Sequence, residues 1–198
     1  MVSSLTSDQS GLLKSVNKIG GNGGSNIWDA LEATIEKVFL EKTPNRRQAI
    51  VLLSDGFDDA LQSIYGAGSK TSFGHLLESV RKSDVSIIPI YLDTEYKDFC
   101  GNNGVSGIPC NRYRQFFKRA RKTLDVLAEE SGGLMYQANR IEDLKSVYTE
   151  VLMDLRTIYS LGYLPTDNIS VGVWRSINVE VVNHPNLVVR TKAGYYAQ

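Results

Sequence analysis

Apolar positions follow two different rhythms along this chain, and the change falls near residue 156. Before it, short continuous runs alternate with stretches in which apolar residues recur every three or four positions. Ile50, Val51, Leu52 and Leu53 form one such run, ended by Ser54, Asp55 and Gly56. A run of that length with β-branched residues and a glycine stop predicts a strand at 49–54, buried on both faces. VSIIPIYL at 85–92 predicts a second buried strand, and LMYQA at 134–138 a third.

Helical spacing fills the intervals. Residues 7–19 predict a helix capped by Ser7 or Asp8, with Leu12, Leu13, Val16 and Ile19 on one side. Ile27, Leu31, Ile35, Val38 and Phe39 mark an amphipathic helix at 26–40. Further helices are expected at about 71–83, 114–130 and 140–155, the last opened by a capping-box-like pair, Asn139 and Glu142. Beyond 156, TIYSLGYLP, VWRSINVEVV and LVVRTKAGYY are strand-like and separated by turn residues. The expected fold class is α/β: a doubly wound, mostly parallel, Rossmann-like sheet over residues 1–156, with an antiparallel β extension at 157–198 packed on it.

Charge narrows the function classes. Lys plus Arg and Asp plus Glu both total 22, a balance that argues against nucleic-acid binding. No apolar run is long enough to insert into a membrane. Residues 1–20 lack the pattern of a signal peptide. Cys100 and Cys110 bracket a glycine-containing loop that a disulfide would tie down, with two free thiols as the alternative.

In an open α/β sheet, ligands bind where strands end. That puts Asp55 at the expected site, with Asp58 and Asp59 behind it. Asp55 could be a phosphatase nucleophile, but the general acid such chemistry needs two residues on is replaced by Phe57. GAGSKTS at 66–72 reads as a plain loop and not a phosphate cradle, and Ser79 with Lys82 as a chance Ser-x-x-Lys pair. RYRQFFKRARK at 112–122 could hold an anionic partner, but reads rather as the solvated face of a helix whose Phe116, Phe117 and Ala120 are buried. His75 and His184 read as ordinary surface residues. Trp28 fits either the core or a binding rim.

Taken in order, GGSNIWDAL (23–31), VLLSDGFDD (51–59), LAEESGGLMYQ (127–137), DLRTIYSLGYLP (154–165) and WRSINVEVV with LVVRTKAGYY (174–196) resemble the von Willebrand factor A domain, and more narrowly a related bacterial family. The resemblance implies a non-enzymatic protein-interaction or adhesion module. Its metal-ion-dependent adhesion site would hold Mg²⁺ and accept a partner's carboxylate. Ser25 stands at the place of the family's threonine ligand, and Asp55 matches its aspartate. The glycines at 20–24 would let the backbone approach the ion.

The family's Asp-x-Ser-x-Ser loop is not found: SDQSGLL offers Asp8 and Ser10, but Leu12 stands at the second serine. The chain therefore resembles the family from after its first strand onward. Ser25 and Asp55 alone are expected to bind Mg²⁺ weakly or not at all. The alternatives are a structural or assembly domain with no working metal site, or a Mg²⁺-dependent hydrolase, for which no general base is seen. Family and Cys pair together point to a secreted or periplasmic setting. In the family's sheet order the absent strand lies beside 49–54, so that edge is expected to be covered, first of all by a second copy in a homodimer.

Overall fold

The computed structural model describes residues 4–20, 24–39, 47–58, 68–93, 110–157, 159, 161–165, 171–184 and 186–197. In chain order they form α1 (Gln9–Val16), α2 (Ile27–Val38), β1 (Gln48–Ser54), α3 (Phe73–Lys82), β2 (Val85–Leu92), α4 (Cys110–Ser131), β3 (Tyr136–Ala138), α5 (Leu144–Arg156), β4 (Trp174–Ser176) and β5 (Gly194–Tyr196). A 3₁₀ turn at Ile141–Asp143 leads into α5.

The protein is a mixed α/β structure built on a three-stranded parallel sheet ordered β1-β2-β3. The expected parallel neighbours are thus present. The register sets Val51 beside Ile88 and Leu53 beside Ile90. Because side chains alternate across a strand, two separate cores result. On one face Ile50, Leu52 and Ile87 pack with Trp28, Leu31 and Ile35 of α2, Leu76 and Val80 of α3, and Leu127 of α4. On the other, Ala49, Ile88, Ile90 and Ala138 pack with Val147 and Val151 of α5.

Three expectations are corrected. Strand β1 is not buried on both faces: Val51 is 39% and Leu53 41% exposed. It is an edge strand among the described elements, and α5 lies over β2 and β3, so the outer apolar positions of β1 go uncovered. The apolar stripe of α1 is also uncovered, with Leu13, Val16 and Ile19 exposed and no buried residue in the helix. The expected capping box on Asn139 and Glu142 is not formed: one residue later the Asp143 carboxylate accepts the Arg140 N–H at 3.1 Å, and Arg140, a donor only, returns no acceptor.

Of the three C-terminal runs, two pair antiparallel as β4 and β5. The first does not: Tyr159 and 161–165 form no strand and are exposed. The β4–β5 pair sits against the end of α3, where Arg81 lies 5.5 Å from the Trp174 ring centre and Lys192 bonds the Ser83 carbonyl. That end of α3 feeds the start of β2. The C-terminal pair is therefore at the N-terminal ends of the parallel strands, opposite the end where Asp55 lies.

A second clasp has a pH signature. Tyr136 donates its hydroxyl to Asp154 on α5, and Arg190 donates to the same carboxylate oxygen at 2.8 Å. The Tyr136 bond, then the Arg190 guanidinium, hold the Asp154 carboxyl below the usual carboxylate range against partial burial. Burial first, and then the bond to Asp154, push the Tyr136 phenol up to about 12. A depressed carboxylate stabilises the fold above its unfolded pKa of about 4, and that contribution is lost as pH falls through the folded value. A raised phenol stabilises below its unfolded pKa of about 10, and the contribution is lost as pH climbs through about 12. Tyr136→Phe is expected to flatten both limbs. Thermal unfolding across acid and alkaline series checks this; unchanged limbs would refute the clasp.

Candidate functional site

The C-terminal end of β1 turns sharply. The Asp55 carboxylate accepts the Phe57 N–H at 3.0 Å, a local Asx-type turn, and the Ser54 hydroxyl accepts the Gly56 N–H at 2.9 Å. Gly56 has φ +75°, and a Cβ there would stand 3.0 Å from the Ala120 carbonyl of α4. Glycine is thus required both by conformation and by the close passage of the chain. Phe57 then lies on Phe117, ring centres 5.9 Å apart.

Three residues past Asp55, the chain buries a carboxylate completely. Asp58 has no solvent exposure. It accepts the Trp28 N–H at 3.1 Å, the Ser69 N–H at 3.0 Å and the Ser69 hydroxyl at 2.6 Å. The Ser69 hydroxyl in turn accepts the Asp29 N–H at 3.0 Å. Asp29 reaches back, accepting the Lys70 and Thr71 N–H groups at 3.0 and 2.8 Å. Those two backbone donors, Thr71 first, hold the Asp29 carboxyl below the usual carboxylate range.

This network explains the start of α2. Its N-cap, Asn26, makes no side-chain cap bond, although the first amides of a helix need acceptors. Asp58 and Ser69 supply them from another part of the chain, and the Asp58 anion meets the positive end of the helix. The loop after β1, the start of α2 and the approach to α3 are thereby joined at one end of the sheet.

Ser25 lies two residues before α2 and is exposed, while Asp55 is partly buried. The Asp58 to Trp28 bond brings their two segments to the same end of the sheet; no hydrogen bond joins the two side chains. Gly24 is described and exposed, whereas 21–23, Asp59 and Cys100 lie outside the described residues, as does the side chain of Cys110. The disulfide expectation therefore falls outside them too. Among the described residues, no three His, Cys, Asp or Glu side chains are grouped as a metal site, and no helix is long and apolar enough to cross a membrane.

Other sequence candidates find their places. Trp28 is core, buried and 5.7 Å from the Phe73 ring. Ser79 and Lys82 serve different partners: Ser79 donates to Glu32 at 2.6 Å and Lys82 to Glu78 at 2.6 Å. His75 is exposed and 3.5 Å from the Glu32 carboxylate. Lys118, Arg119, Arg121 and Lys122 are exposed on α4 while Phe117 and Ala120 are buried; Phe116, expected to be buried with them, is half-buried.

Sequence reasoning missed Asp29, Ser69 and Glu32. Asp29 in a helix's first turn was a visible sign of dipole complementarity. Ser69 and Glu32 gave none, since their partners are 11 or more residues away. No family model, curated protein or solved structure matches this chain.

Proposed function

We propose that this chain is a non-enzymatic protein-interaction module of the von Willebrand A type, with a doubly wound sheet. Its binding surface is the C-terminal end of that sheet, around Ser25 and Asp55. The observation that carries this reading is the Asp58 clasp, which holds the loop after β1 against the start of α2. Two segments bearing hydroxyl and carboxylate groups are thus fixed side by side at the end where α/β sheets bind ligands. The resemblance of GGSNIWDAL and VLLSDGFDD to the family's second and third ligand segments points the same way.

A structural or assembly role with no working metal site is the second reading. It draws on the carboxylates themselves: Asp58 and Asp29 each accept backbone N–H groups on both oxygens, and Asp55 accepts the Phe57 N–H on one of its own. Mg²⁺ takes six oxygens in near-octahedral array, and Ser25 with Asp55 offers few. Isothermal titration with Mg²⁺ is expected to give a Kd on the order of 1 mM or weaker. Tight binding abolished by Asp55→Ala would reverse this and restore the full metal reading.

The interaction role is tested by selecting ligands from a displayed peptide library on the whole chain, in the presence and absence of Mg²⁺. Selected binders are expected to lose at least tenfold in affinity for Ser25→Ala or Asp55→Ala, while Asp125→Ala on the exposed face of α4 binds as wild type. Binders indifferent to both site variants would overturn the proposal.

A further inference from the structure

The exposed face of α4 carries a block of one charge. The stretch RYRQFFKRARK, 112–122, holds six basic residues and no carboxylate, and the next acidic residue is Asp125. Lys118, Arg119, Arg121 and Lys122 are all exposed. Among the described residues none of these four is ion-paired, whereas Arg81, Lys82, Arg140, Arg190 and Lys192 each meet a carboxylate. A solvated helix face ordinarily mixes signs, as α3 does where Glu78 pairs with Lys82 four residues on at 2.6 Å. In α4 the residues three and four on from Lys118 are Arg121 and Lys122. Like charges at those spacings weaken a helix. Solvation explains why these side chains face water, but not why they share one sign.

Their place in the fold is also specific. Helix α4 links β2 to the parallel strand β3, so its first half lies at the C-terminal ends of the strands. Phe117 meets the Phe57 ring there, and Arg121 lies over the Tyr91 ring at 5.6 Å from its centre. Tyr91 is the β2 partner of Ser54, the residue before Asp55. A guanidinium held against a ring loses less freedom when a carboxylate takes its N–H donors.

We infer that this face of α4 binds a short acidic segment of a protein partner through Lys118, Arg119, Arg121 and Lys122. None of the four belongs to the Ser25 and Asp55 site, so the contact stands whether or not that site takes a ligand. The footprint selects the occupant. The four cations lie within about 6 Å along the helix axis and about 160° around it, room for about three or four carboxylates. Asp125 and Glu129, both exposed, continue the same face one and two turns on. They would repel a polyanion running along the helix, which counts against nucleic acid and a flat anionic bilayer. A short segment crossing the helix meets cations alone. The equal totals of basic and acidic residues agree, since the chain offers a polyanion no general attraction beyond this face.

Fluorescence anisotropy of a labelled hexaglutamate peptide with the whole chain tests this, with hexaglutamine as the control peptide. A Kd on the order of 100 µM or tighter is expected at about 50 mM salt, weakening at least threefold at about 300 mM. Hexaglutamine should not bind. Lys118→Glu combined with Arg121→Glu should weaken hexaglutamate binding by about fivefold or more, with unchanged circular dichroism. Lys18→Glu combined with Lys145→Glu makes the same change of net charge at exposed positions off α4, and should stay within about twofold of wild type. If the α4 pair fails to fold, Lys118→Gln with Lys122→Gln replaces it and should cost about threefold or more. Absent binding, α4 variants that bind as wild type, or a control pair that loses as much would each overturn the proposal. So would single-stranded hexadeoxynucleotide or phosphatidylserine vesicles binding more tightly than hexaglutamate at the same salt, which would assign the face to a nucleic acid or a membrane.

Discussion

Asp58→Ala is expected to lower the unfolding free energy by about 3–5 kcal/mol, and Asp58→Asn by about 1–3 kcal/mol. The alanine variant removes the acceptor of three hydrogen bonds at a fully buried position. It leaves the Trp28 and Ser69 amides facing a void that they cannot leave without unwinding the first turn of α2. Asparagine fills the space and keeps one good acceptor, but turns an NH₂ group toward a donor and withdraws the negative charge from the helix end. Against a typical stability of about 5–15 kcal/mol, the alanine loss is large.

Urea unfolding measures it, and hydrogen exchange locates it: the amides of Trp28, Asp29 and Ser69 should lose protection first. A loss below about 1 kcal/mol for alanine would mean that the clasp does not hold these segments. The site would then lack the fixed geometry on which the proposed function rests. Ser69→Ala should cost less than Asp58→Ala, because the Asp58 oxygens keep two backbone donors.

Gly133→Ala is expected to be at least as damaging, at about 3 kcal/mol or more. A Cβ at 133 would stand 1.9 Å from the carbonyl oxygen of Ile87. Ile87 is held in β2 by its pairing with Ile50 of β1, so its carbonyl cannot step aside without disturbing that ladder. The same position is fixed from behind by the Gly133 N–H, which donates to the Ala128 carbonyl at 2.8 Å. The buried Ser131 hydroxyl accepts the Ile87 N–H at 2.9 Å beside it. Gly162, where an added Cβ meets nothing within 4 Å, serves as control: Gly162→Ala should fall within about 0.5 kcal/mol of wild type. Thermal unfolding of the two variants side by side checks the contrast. A Gly133→Ala protein as stable as wild type would show that the α4–β3 turn has freedom the close contact denies.

The order of strands and helices was legible because local chemistry fixes it. Apolar runs with β-branched residues can only be buried strands or core helix. Gly56, Gly132 and Gly133 stop them at lengths that decide the matter, and crossover helices between runs force the strands parallel. Asp8 marks a helix start in the sequence and accepts the expected amide bond in the fold.

What local chemistry cannot fix is how far each element is covered. Ile50 and Val51 look equivalent in the sequence. Only the tertiary structure decides that Ile50 meets α2 and α3 while Val51 looks outward past the reach of α5. The strand-like run at 157–165 shows the same limit from the other side. Its residues favour a strand, but Tyr159 and 161–165 form none and are exposed, because composition alone does not bring a pairing edge alongside.

The candidate site divides in the same way. Asp55 follows from its place at a strand end, a property of the sequence. The role of Asp58 does not, because the bonds that fix it reach residues 11 and 30 positions away. A polar residue after a strand has the same local pattern whether it faces water or caps a distant helix. The chain alone specifies which groups carry charge and where the elements begin. Only packing decides which of those charges is buried, since burial depends on the elements that meet there.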